Sequence, residues 1–245
     1  WNPDRKSGEK IAECRLGDYV WPQIRTWSPD NGTLALSSAR GITLLRSPWN
    51  KPDRTIVRPH AATTLAWSPT DALTLASVEN GKAYLIHLTT DDHTATEIPG
   101  IVLPASPGAL AWSPDGKELA LATRDRKVIV WNLEKSKPTF ILTGHTRDLN
   151  AVAYLADNKT LISGSKGGIR FWDLEKASLR GTLLNLSNTG WLAIGPEGDY
   201  RCSDGGEGRF GIKFREDGLQ ELRPEGFRIT FGWKNRPEMV QLVGQ

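Results

Sequence analysis

Short apolar runs bounded by polar turns recur along about the first 200 residues of the chain. Runs such as ELALAT and TLISGS are each followed by a charged or glycine-rich tip and then by a second run such as VIVW or IRFW. The runs have the length and alternation of β-strands, and no stretch of about ten residues in this part has a convincing helical period. The pattern predicts an all-β chain built from hairpins.

The hairpins belong to a longer unit that repeats. Three copies contain an aromatic-Ser-Pro turn and read TWSPDNGTLALSSARGITLL, AWSPTDALTLASVENGKAYLIHL and AWSPDGKELALATRDRKVIVWNL, and two weaker copies follow them. Equivalent positions recur 39 to 45 residues apart, at Ser28, Ser68, Ser113, Ala156 and Gly195. A repeat of about 40–45 residues is the length of one four-stranded propeller blade.

A large residue that follows Ala or Thr stands one residue before each of these positions, or two residues before Ala156. The large position holds Trp27, Trp67, Trp112, Tyr154 and Ile194. This alternation predicts the inner strand of a blade, because sheets pack on both faces where the wedge of a propeller is narrow. Arg25 stands where the other copies have Leu or Val, so either the first blade is distorted or Arg25 reaches the channel or a partner.

One segment closely resembles a complete repeat of the WD40 family. It reads TGHTRDLNAVAYLADNKTLISGSKGGIRFWDL, at residues 143–174, with Gly144-His145 near its start and Trp172-Asp173 near its end. The resemblance covers about 200 residues. It implies a propeller in which an outer strand d precedes strands a, b and c of each repeat.

The same resemblance implies a buried hydrogen-bond network in a blade, formed by a His, a Ser or Thr, an Asp and the Trp of strand c. In one copy His145, Ser163 and Trp172 match this network, but the turn KGG lacks the Asp. The copy before it has no His and supplies Thr123, Asp125 and Trp131. The network is therefore incomplete in each copy.

We expect an all-β propeller with about five recognisable four-stranded blades, either closed or part of a larger ring of seven. The blades span residues 1–216, as a strand d remnant at 1–16 and copies near 20–58, 62–98, 107–142, 149–184 and 189–214. Residues 217–245 form a capping extension, either with one helical turn from Pro224 or as a loop held by its aromatic residues.

Ring closure depends on the strand EKIAECRL, residues 9–16. If the ring closes here, this strand completes the last blade and places Cys14 about 9–10 Å from Cys202, too far for a disulfide. Otherwise the chain is the C-terminal part of a larger ring. The segment from GWLAIGPEGDYRCS onward is similar to the ends of large WD40-repeat proteins of planctomycete-type bacteria, which often carry kinase, protease or other effector domains upstream.

Composition and charge exclude several classes. The 31 Lys and Arg residues against 28 Asp and Glu give a net charge of +3, too small to indicate nucleic-acid binding. No apolar run approaches the length of about 18 residues that a membrane helix needs, and the start lacks the features of a signal peptide. The two cysteines fit a reducing compartment. We expect a cytoplasmic protein that binds no membrane and no nucleic acid.

Groups that could carry catalysis or hold a metal are sparse. Asp91, Asp92 and His93 could be read as metal ligands, but a solvated hairpin loop explains these turn-forming residues better. The segments SGSKGG and SDGGEGRFG precede no strand-to-helix transition, so they are hairpin tips rather than phosphate-binding loops. We expect no catalysis, no metal and no cofactor.

The charges of the turns point to a protein partner. In the geometry that the resemblance implies, the d–a and b–c loops share one face, and the a–b turns on the other face carry Asp and Glu. Cations from separate copies lie on the first face, namely Arg40, Lys82, Arg124, Arg126, Arg147 and Lys166. We expect this basic face to bind an acidic or phosphorylated protein or peptide. The alternative is that the Asp residues only form turns and that Glu79, Asp125 and Asp148 dilute the basic face.

Two functions remain open. The first is a non-catalytic protein-interaction scaffold, because a propeller offers a rigid ring of loops. The second is a regulatory or substrate-docking domain of a larger enzyme, a kinase or protease, whose catalytic domain lies upstream of residue 1. Periplasmic and peptidase-associated propellers also use WSPDG turns, but the Gly144-His145 and Trp172-Asp173 pairs argue against them.

Overall fold

The computed structural model describes residues 24–38, 41–46, 54–90, 92–103, 107–185, 190–196, 199–202 and 234–235. All secondary-structure elements in these ranges are β-strands, and they form four sheets. Three of the sheets have four antiparallel strands in chain order, so three repeat copies each make a sheet of their own. The predicted all-β architecture of propeller blades is confirmed.

The strands of each blade are named a to d in chain order. Blade 1 contains β1 (Arg25–Trp27), β2 (Thr33–Ser38), β3 (Gly41–Arg46) and β4 (Arg54–Val57), and blade 2 contains β5 (Thr64–Trp67), β6 (Thr74–Glu79), β7 (Lys82–Leu88) and β8 (His93–Val102). Blade 3 contains β9 (Ala109–Trp112), β10 (Glu118–Ala122), β11 (Val128–Asn132) and β12 (Lys137–Leu142). Blade 4 contains β13 (Leu149–Tyr154), β14 (Thr160–Ser165), β15 (Gly168–Asp173) and β16 (Ser178–Asn185).

The core lies in apolar layers between the blades. The inner strands β1, β5, β9 and β13 contact one another in sequence, which places the blades side by side in chain order. Between blades 1 and 2, for example, Ile42, Leu44 and Ile56 pack in one cluster with Leu75 and Ile86. Similar clusters join blade 2 to blade 3 and blade 3 to blade 4. Because fully burying one such side chain is worth about 1.5–3 kcal/mol, each blade depends on its neighbours for stability.

The Ser-Pro-Asp turn closes the a–b hairpin with a repeated set of bonds. In blade 3, Ser113 Oγ donates to Asp115 Oδ1 at 2.6 Å and accepts from the backbone N–H of Glu118 at 2.9 Å. Ser28 makes the equivalent bonds in blade 1, to Asp30 and from Thr33. The turn sequence is therefore explained by local hydrogen bonding, in which one hydroxyl and one carboxylate satisfy the backbone at the hairpin tip.

The large residue at the end of strand a joins each blade to the one before it. Trp67 Nε1 donates to the Thr26 carbonyl at 3.1 Å, and Trp112 Nε1 donates to the Ala66 carbonyl at 3.1 Å. Each acceptor directly precedes the equivalent Trp of the preceding blade. In blade 4, Tyr154 takes this position, and its hydroxyl donates to Glu118 Oε2 at 3.4 Å.

The start of blade 1 is regular. Arg25 lies opposite Leu36 in the antiparallel register of β1 and β2, and its side chain is exposed. The local distortion that was one of the two interpretations of Arg25 is therefore absent from β1.

The fifth predicted copy does not form a separate sheet within the described residues. Its strands β17 (Trp191–Ile194) and β18 (Asp199–Cys202) extend the sheet of blade 4, because β17 pairs antiparallel with β16 and β18 pairs with β17. A parallel strand, β19 (Lys234–Asn235), follows at the edge. Within the described residues there are therefore four separate sheets, and the described strands of the fifth copy lie at the outer edge of blade 4.

The length of the preceding connection agrees with this pairing. Residues 186–190 form a connection of five residues, a length typical of hairpins, whereas the d–a connections 58–63, 103–108 and 143–148 have six. The predicted strand d remnant 1–16 with Cys14 lies outside the described residues, as does the extension 217–245 apart from β19, so both remain predictions.

We predict that Trp112→Phe lowers the free energy of unfolding by about 1 kcal/mol more than Trp131→Phe. Both changes shorten a large aromatic side chain, but only the first removes a hydrogen bond, because Trp131 Nε1 has no partner among the described residues. Urea unfolding followed by circular dichroism measures the difference. Equal losses in the two variants would contradict the role of the bond to Ala66.

Candidate functional site

The antiparallel order of the strands puts the b–c turns and the d–a connections at one end of the blades and the a–b and c–d turns at the other. We call the first end the upper face. Near blades 3 and 4 it consists of the b–c turns after β10 and β14 and of the d–a connection between β12 and β13. The predicted network and most of the predicted partner-binding residues lie on or just beneath this face.

His145 lies buried in the d–a connection between blades 3 and 4. Its Nε2 lies 2.7 Å from Ser163 Oγ, and its Nδ1 lies 3.2 Å from Ser165 Oγ. Trp172 Nε1 donates to the same Ser163 Oγ at 2.7 Å. The structure thus brings His145, Ser163 and Trp172 together and adds Ser165, which the sequence analysis did not include.

The donors and acceptors of this network form one directed chain. Ser165 Oγ donates to the Gly168 carbonyl at 3.4 Å, so it is free to accept from His145 Nδ1. His145 Nε2 then accepts from the Ser163 hydroxyl, which in turn accepts from the indole of Trp172. This arrangement uses a neutral imidazole. Burial, together with the nearby charge of Arg170, lowers the pKa of His145 from 6.5 to about 4.

Blade 2 builds a different network at the same place. Glu79 occupies the register position of Ser165, its side chain is only 1% exposed, and Arg58 Nε lies 3.0 Å from each of its carboxylate oxygens. Ser77 Oγ donates to Glu79 Oε1 at 3.0 Å. The guanidinium of Arg58 lies 4.7 Å from the centre of the Tyr84 ring. A buried ion pair stacked on an aromatic ring therefore replaces the imidazole and hydroxyl groups of blade 4.

Sequence reasoning missed this ion pair. It treated Glu79 as a charge that dilutes the basic face and named no cation for it. His60, at the connection position equivalent to His145, is exposed. The available signal was the repeat alignment, which puts a Glu where blade 4 has a small hydroxyl at the end of strand b. A carboxylate at a buried position requires a cation nearby.

In blade 3, Thr123 and Asp125 do not join Trp131 in one network. By register, Leu121 is the equivalent of Ser163, since each lies two residues beyond the strand b partner of the strand c Trp. Trp131 Nε1 is consequently buried without a hydrogen-bond partner in the part of the chain that the structure describes. Thr123 Oγ1 donates to the Lys127 carbonyl at 2.8 Å instead, and Asp125 Oδ2 lies 3.0 Å from Lys127 Nζ.

Asp173 has a role of its own outside the buried network. Its Oδ1 accepts from the backbone N–H groups of Glu175 and Lys176 at 3.0 Å, and its Oδ2 lies 3.2 Å from Arg180 Nη2. These bonds close the c–d turn at the end of the blade opposite the upper face. Asp173 therefore fixes strand d to strand c.

Four of the six predicted partner-binding residues cluster on blades 3 and 4. They are exposed and form no ion pair with another described residue: Arg124, Arg126, Arg147 and Lys166. We call these four residues the basic rim. Arg147 and Lys166 are close together, since Arg147 Cγ lies 3.6 Å from the place that a Cβ on Gly167 would take, in the same turn as Lys166. Arg124 and Arg126 lie in the b–c turn of blade 3 at the same end of the blades.

The other two predicted residues do not belong to the basic rim. Lys82 Nζ lies 2.9 Å from Glu97 Oε2, so a carboxylate of strand d in its own blade neutralises it. Arg40 lies outside the described residues. The predicted cationic face is therefore described only above blades 3 and 4.

The carboxylates at the opposite end are engaged in their own turns. A hydrogen bond from Ser28 and a second from the backbone of Gly32 hold the pKa of Asp30 below its ordinary value. Asp71 has a lowered pKa because it accepts from Thr74 and from the backbone of Leu73. These groups act as turn formers, which supports the structural interpretation of the acidic end.

Other sites are not indicated in the part of the chain that the structure describes. No three His, Cys, Asp or Glu side chains within the described ranges are grouped so that they could hold a metal ion. Asp91, one member of the predicted loop, lies outside those ranges. The described elements include no apolar helix of membrane-spanning length.

Comparison with known proteins agrees with the sheet geometry. Residues 104–132 and 136–173 match the family model "WD domain, G-beta repeat", so these two segments are similar to WD40 repeats. The second segment begins at the strand d of blade 3 and ends with the strand c of blade 4. The sequence repeat therefore straddles two neighbouring sheets.

Curated relatives match longer parts of the chain. "B-type cell cycle switch protein ccs52B" of Medicago truncatula is 35% identical over 75% of this chain and 38% of its own length. "Actin-interacting protein 1" of Caenorhabditis elegans is 28% identical over 49% of this chain and 20% of its own length. The chain thus spans well under half the length of either relative. Both are eukaryotic and do not support the predicted resemblance to bacterial proteins.

The solved structures support the fold. A chain in "Crystal Structure of Mitotic Checkpoint Complex" aligns with a TM-score of 0.56 at 19% identity, covering 73% of this chain and 59% of that chain. At this identity the likeness concerns the fold alone.

We predict that stability falls with acid because of His145. Its folded pKa lies below the unfolded value, so the unfolded chain takes up the proton first and the free energy of unfolding decreases from about pH 6.5 down to about pH 4. Between pH 7 and pH 5 the loss should be about 2 kcal/mol. Urea unfolding across this range measures it, with His145→Gln as the control that lacks the slope. Parallel profiles for the two proteins would exclude His145 as the cause.

We predict that Glu79→Gln lowers the free energy of unfolding by about 3 kcal/mol or more, because it leaves the Arg58 charge buried without its partner. The matched control is Glu97→Gln, which breaks the half-exposed pair with Lys82 and should cost less than about 1 kcal/mol. Denaturant unfolding of both variants tests the difference. A similar cost for the two would show that the buried pair is not a stabilising element.

Proposed function

We propose that this chain is a non-catalytic WD40-type interaction module that binds acidic segments of partner proteins on the basic rim. The observation that carries the proposal is the convergence of Arg124, Arg126, Arg147 and Lys166 from two blades and the connection between them, all exposed and without ion pairs among the described residues. Charges that only solubilise a surface have no reason to gather on adjoining turns.

The chemistry of the basic rim favours carboxylates. Three of its four members are Arg, whose guanidinium can donate two parallel hydrogen bonds to one carboxylate. The affinity should decrease with salt, because exposed charges are screened over about 8–10 Å at physiological ionic strength. The rigid blades beneath hold the turns in place, so a partner gains these contacts without ordering the surface first.

The names of the similar proteins support an interaction role. One is called an actin-interacting protein, another a cell cycle switch protein, and the similar solved chain comes from a checkpoint complex. The alternative role as a docking domain of a larger enzyme stays a prediction, as does the cytoplasmic location. The described residues offer no clustered metal ligands that would favour a metalloenzyme.

We predict that charge reversal on the basic rim removes partners. The test variant is Arg124→Glu, Arg126→Glu and Lys166→Glu, immobilised and compared with the wild type by mass spectrometry of the proteins that each retains from a lysate. The matched control reverses three exposed lysines in turns at the opposite end, Lys117, Lys135 and Lys176, with the same change in net charge.

The expected result is that the control keeps the partners of the wild type and that the basic rim variant loses the acidic ones, provided that both have the circular dichroism spectrum of the wild type. If the basic rim variant keeps them and the control loses them, the opposite end is the binding surface. Retained proteins should also elute earlier as the salt concentration rises.

A further inference from the structure

Arg170 is a half-buried cation without an anion. It lies on β15 two residues before Trp172, and its guanidinium stands 5.7 Å from the centre of the Trp172 ring. Within the part of the chain that the structure describes, it forms no hydrogen bond and no ion pair. Burial is the one cause that lowers its pKa. Taking a guanidinium partly out of water is unfavourable unless an acceptor satisfies it.

The neighbouring connection leaves room for this guanidinium. Gly144 has a φ of +128°, and a Cβ added there would lie 2.2 Å from Arg170 Nη1. The guanidinium therefore lies against bare backbone. Among the described residues, no nitrogen of the Arg170 side chain is both fully buried and unpaired. These unpaired nitrogens are therefore in contact with solvent, and a ligand can reach them.

Blade 2 contains the complete form of this arrangement. Tyr84 holds the register position of Arg170 and carries the guanidinium of Arg58 on its ring, while Glu79 binds that guanidinium with both carboxylate oxygens. Blade 4 likewise has a guanidinium on an aromatic ring, but Ser165 stands at the position of Glu79. The group that blade 2 has and blade 4 lacks is a carboxylate.

The basic rim adjoins this position. Arg147 lies three residues after Gly144 in the same connection, and Lys166 lies in the turn that leads into β15. A peptide that crosses the rim would therefore pass Arg170. Nearby rim cations would attract further acidic residues of the same peptide.

We propose that Arg170 is the specificity-determining contact of the upper face and binds the carboxylate of a glutamate in an acidic segment of a partner protein. This inference rests on the proposed function and names the group that the partner inserts. The partner's glutamate takes the place in blade 4 that Glu79 takes in blade 2, so the guanidinium donates two hydrogen bonds while it remains stacked on Trp172.

The test uses fluorescein-labelled hexaglutamate as the probe, titrated at low salt and followed by fluorescence anisotropy. Arg170→Lys keeps the positive charge but loses the planar donor pair, so the affinity should fall about tenfold or more. The matched control is Arg124→Lys on the exposed rim, for which we expect a change below about threefold. Both variants are checked for an unchanged circular dichroism spectrum.

A second variant tests the same contact, so that the result does not depend on whether Arg170→Lys folds correctly. Ser165→Glu gives blade 4 a carboxylate at the position of Glu79, which should pair with Arg170 and exclude the probe. In the wild type, the Nε–H resonance of Arg170 in a nitrogen–proton correlation spectrum should shift when hexaglutamate is added. The resonance is assigned by its absence from the spectrum of Arg170→Lys.

The outcomes separate this inference from the proposed function. If hexaglutamate binding depends on the basic rim variant but is the same in Arg170→Lys and Ser165→Glu, the Arg170 contact is wrong and the proposed function stands. An Arg170 resonance that does not move at saturating probe would also overturn the contact. If the wild type does not bind hexaglutamate at all, both proposals fail.

Discussion

The structure depends on the contact that the inner strand of each blade makes with the inner strand of the blade before it. A sheet that is apolar on both faces cannot be stable alone, so each blade must be covered on both sides. The indoles of Trp67 and Trp112 make this contact specific, because each donates to a backbone carbonyl of the preceding inner strand. Since the acceptor is backbone, no side-chain change in the preceding blade removes it.

The stacking of the blades also fixes the geometry of the upper face, where the buried end of strand b and the residues around it differ among three blades. Blade 4 has a neutral imidazole between two hydroxyls, blade 2 has a carboxylate bound by a guanidinium, and blade 3 has Leu121 beside an indole without a partner. The blades tolerate such exchange because the surrounding apolar layers set the fold, while the polar groups need only satisfy one another. The half-buried guanidinium of Arg170 is the point at which this local satisfaction is incomplete.

Much of the fold could be predicted from the sequence, because the repeat length and the Ser-Pro-Asp turn are local signals. The grouping of His145, Ser163 and Trp172 could also be anticipated, since these residues occupy fixed places in one repeat. Thr123 was misplaced because by register it corresponds to Ser165, two residues beyond the position of Ser163, which Leu121 holds in blade 3. The Arg58–Glu79 pair joins a connection to a hairpin 21 residues away, and the pairing of β17 with β16 joins two copies. Neither has a local signal.

The outer strands also decide how the molecule behaves at high concentration. Strand edges invite pairing with other chains, which leads to aggregation. Pro99 in β8 and Pro138 in β12 both lie at register shifts of their outer strands, where a residue without an N–H interrupts the ladder that another strand would need. β16 is longer than β4 and has no proline, and it is the outer strand that β17 covers. β16 also has a register shift, at Arg180, so the added hairpin covers the longer of the two outer strands described without a proline and protects it against fibril-like growth.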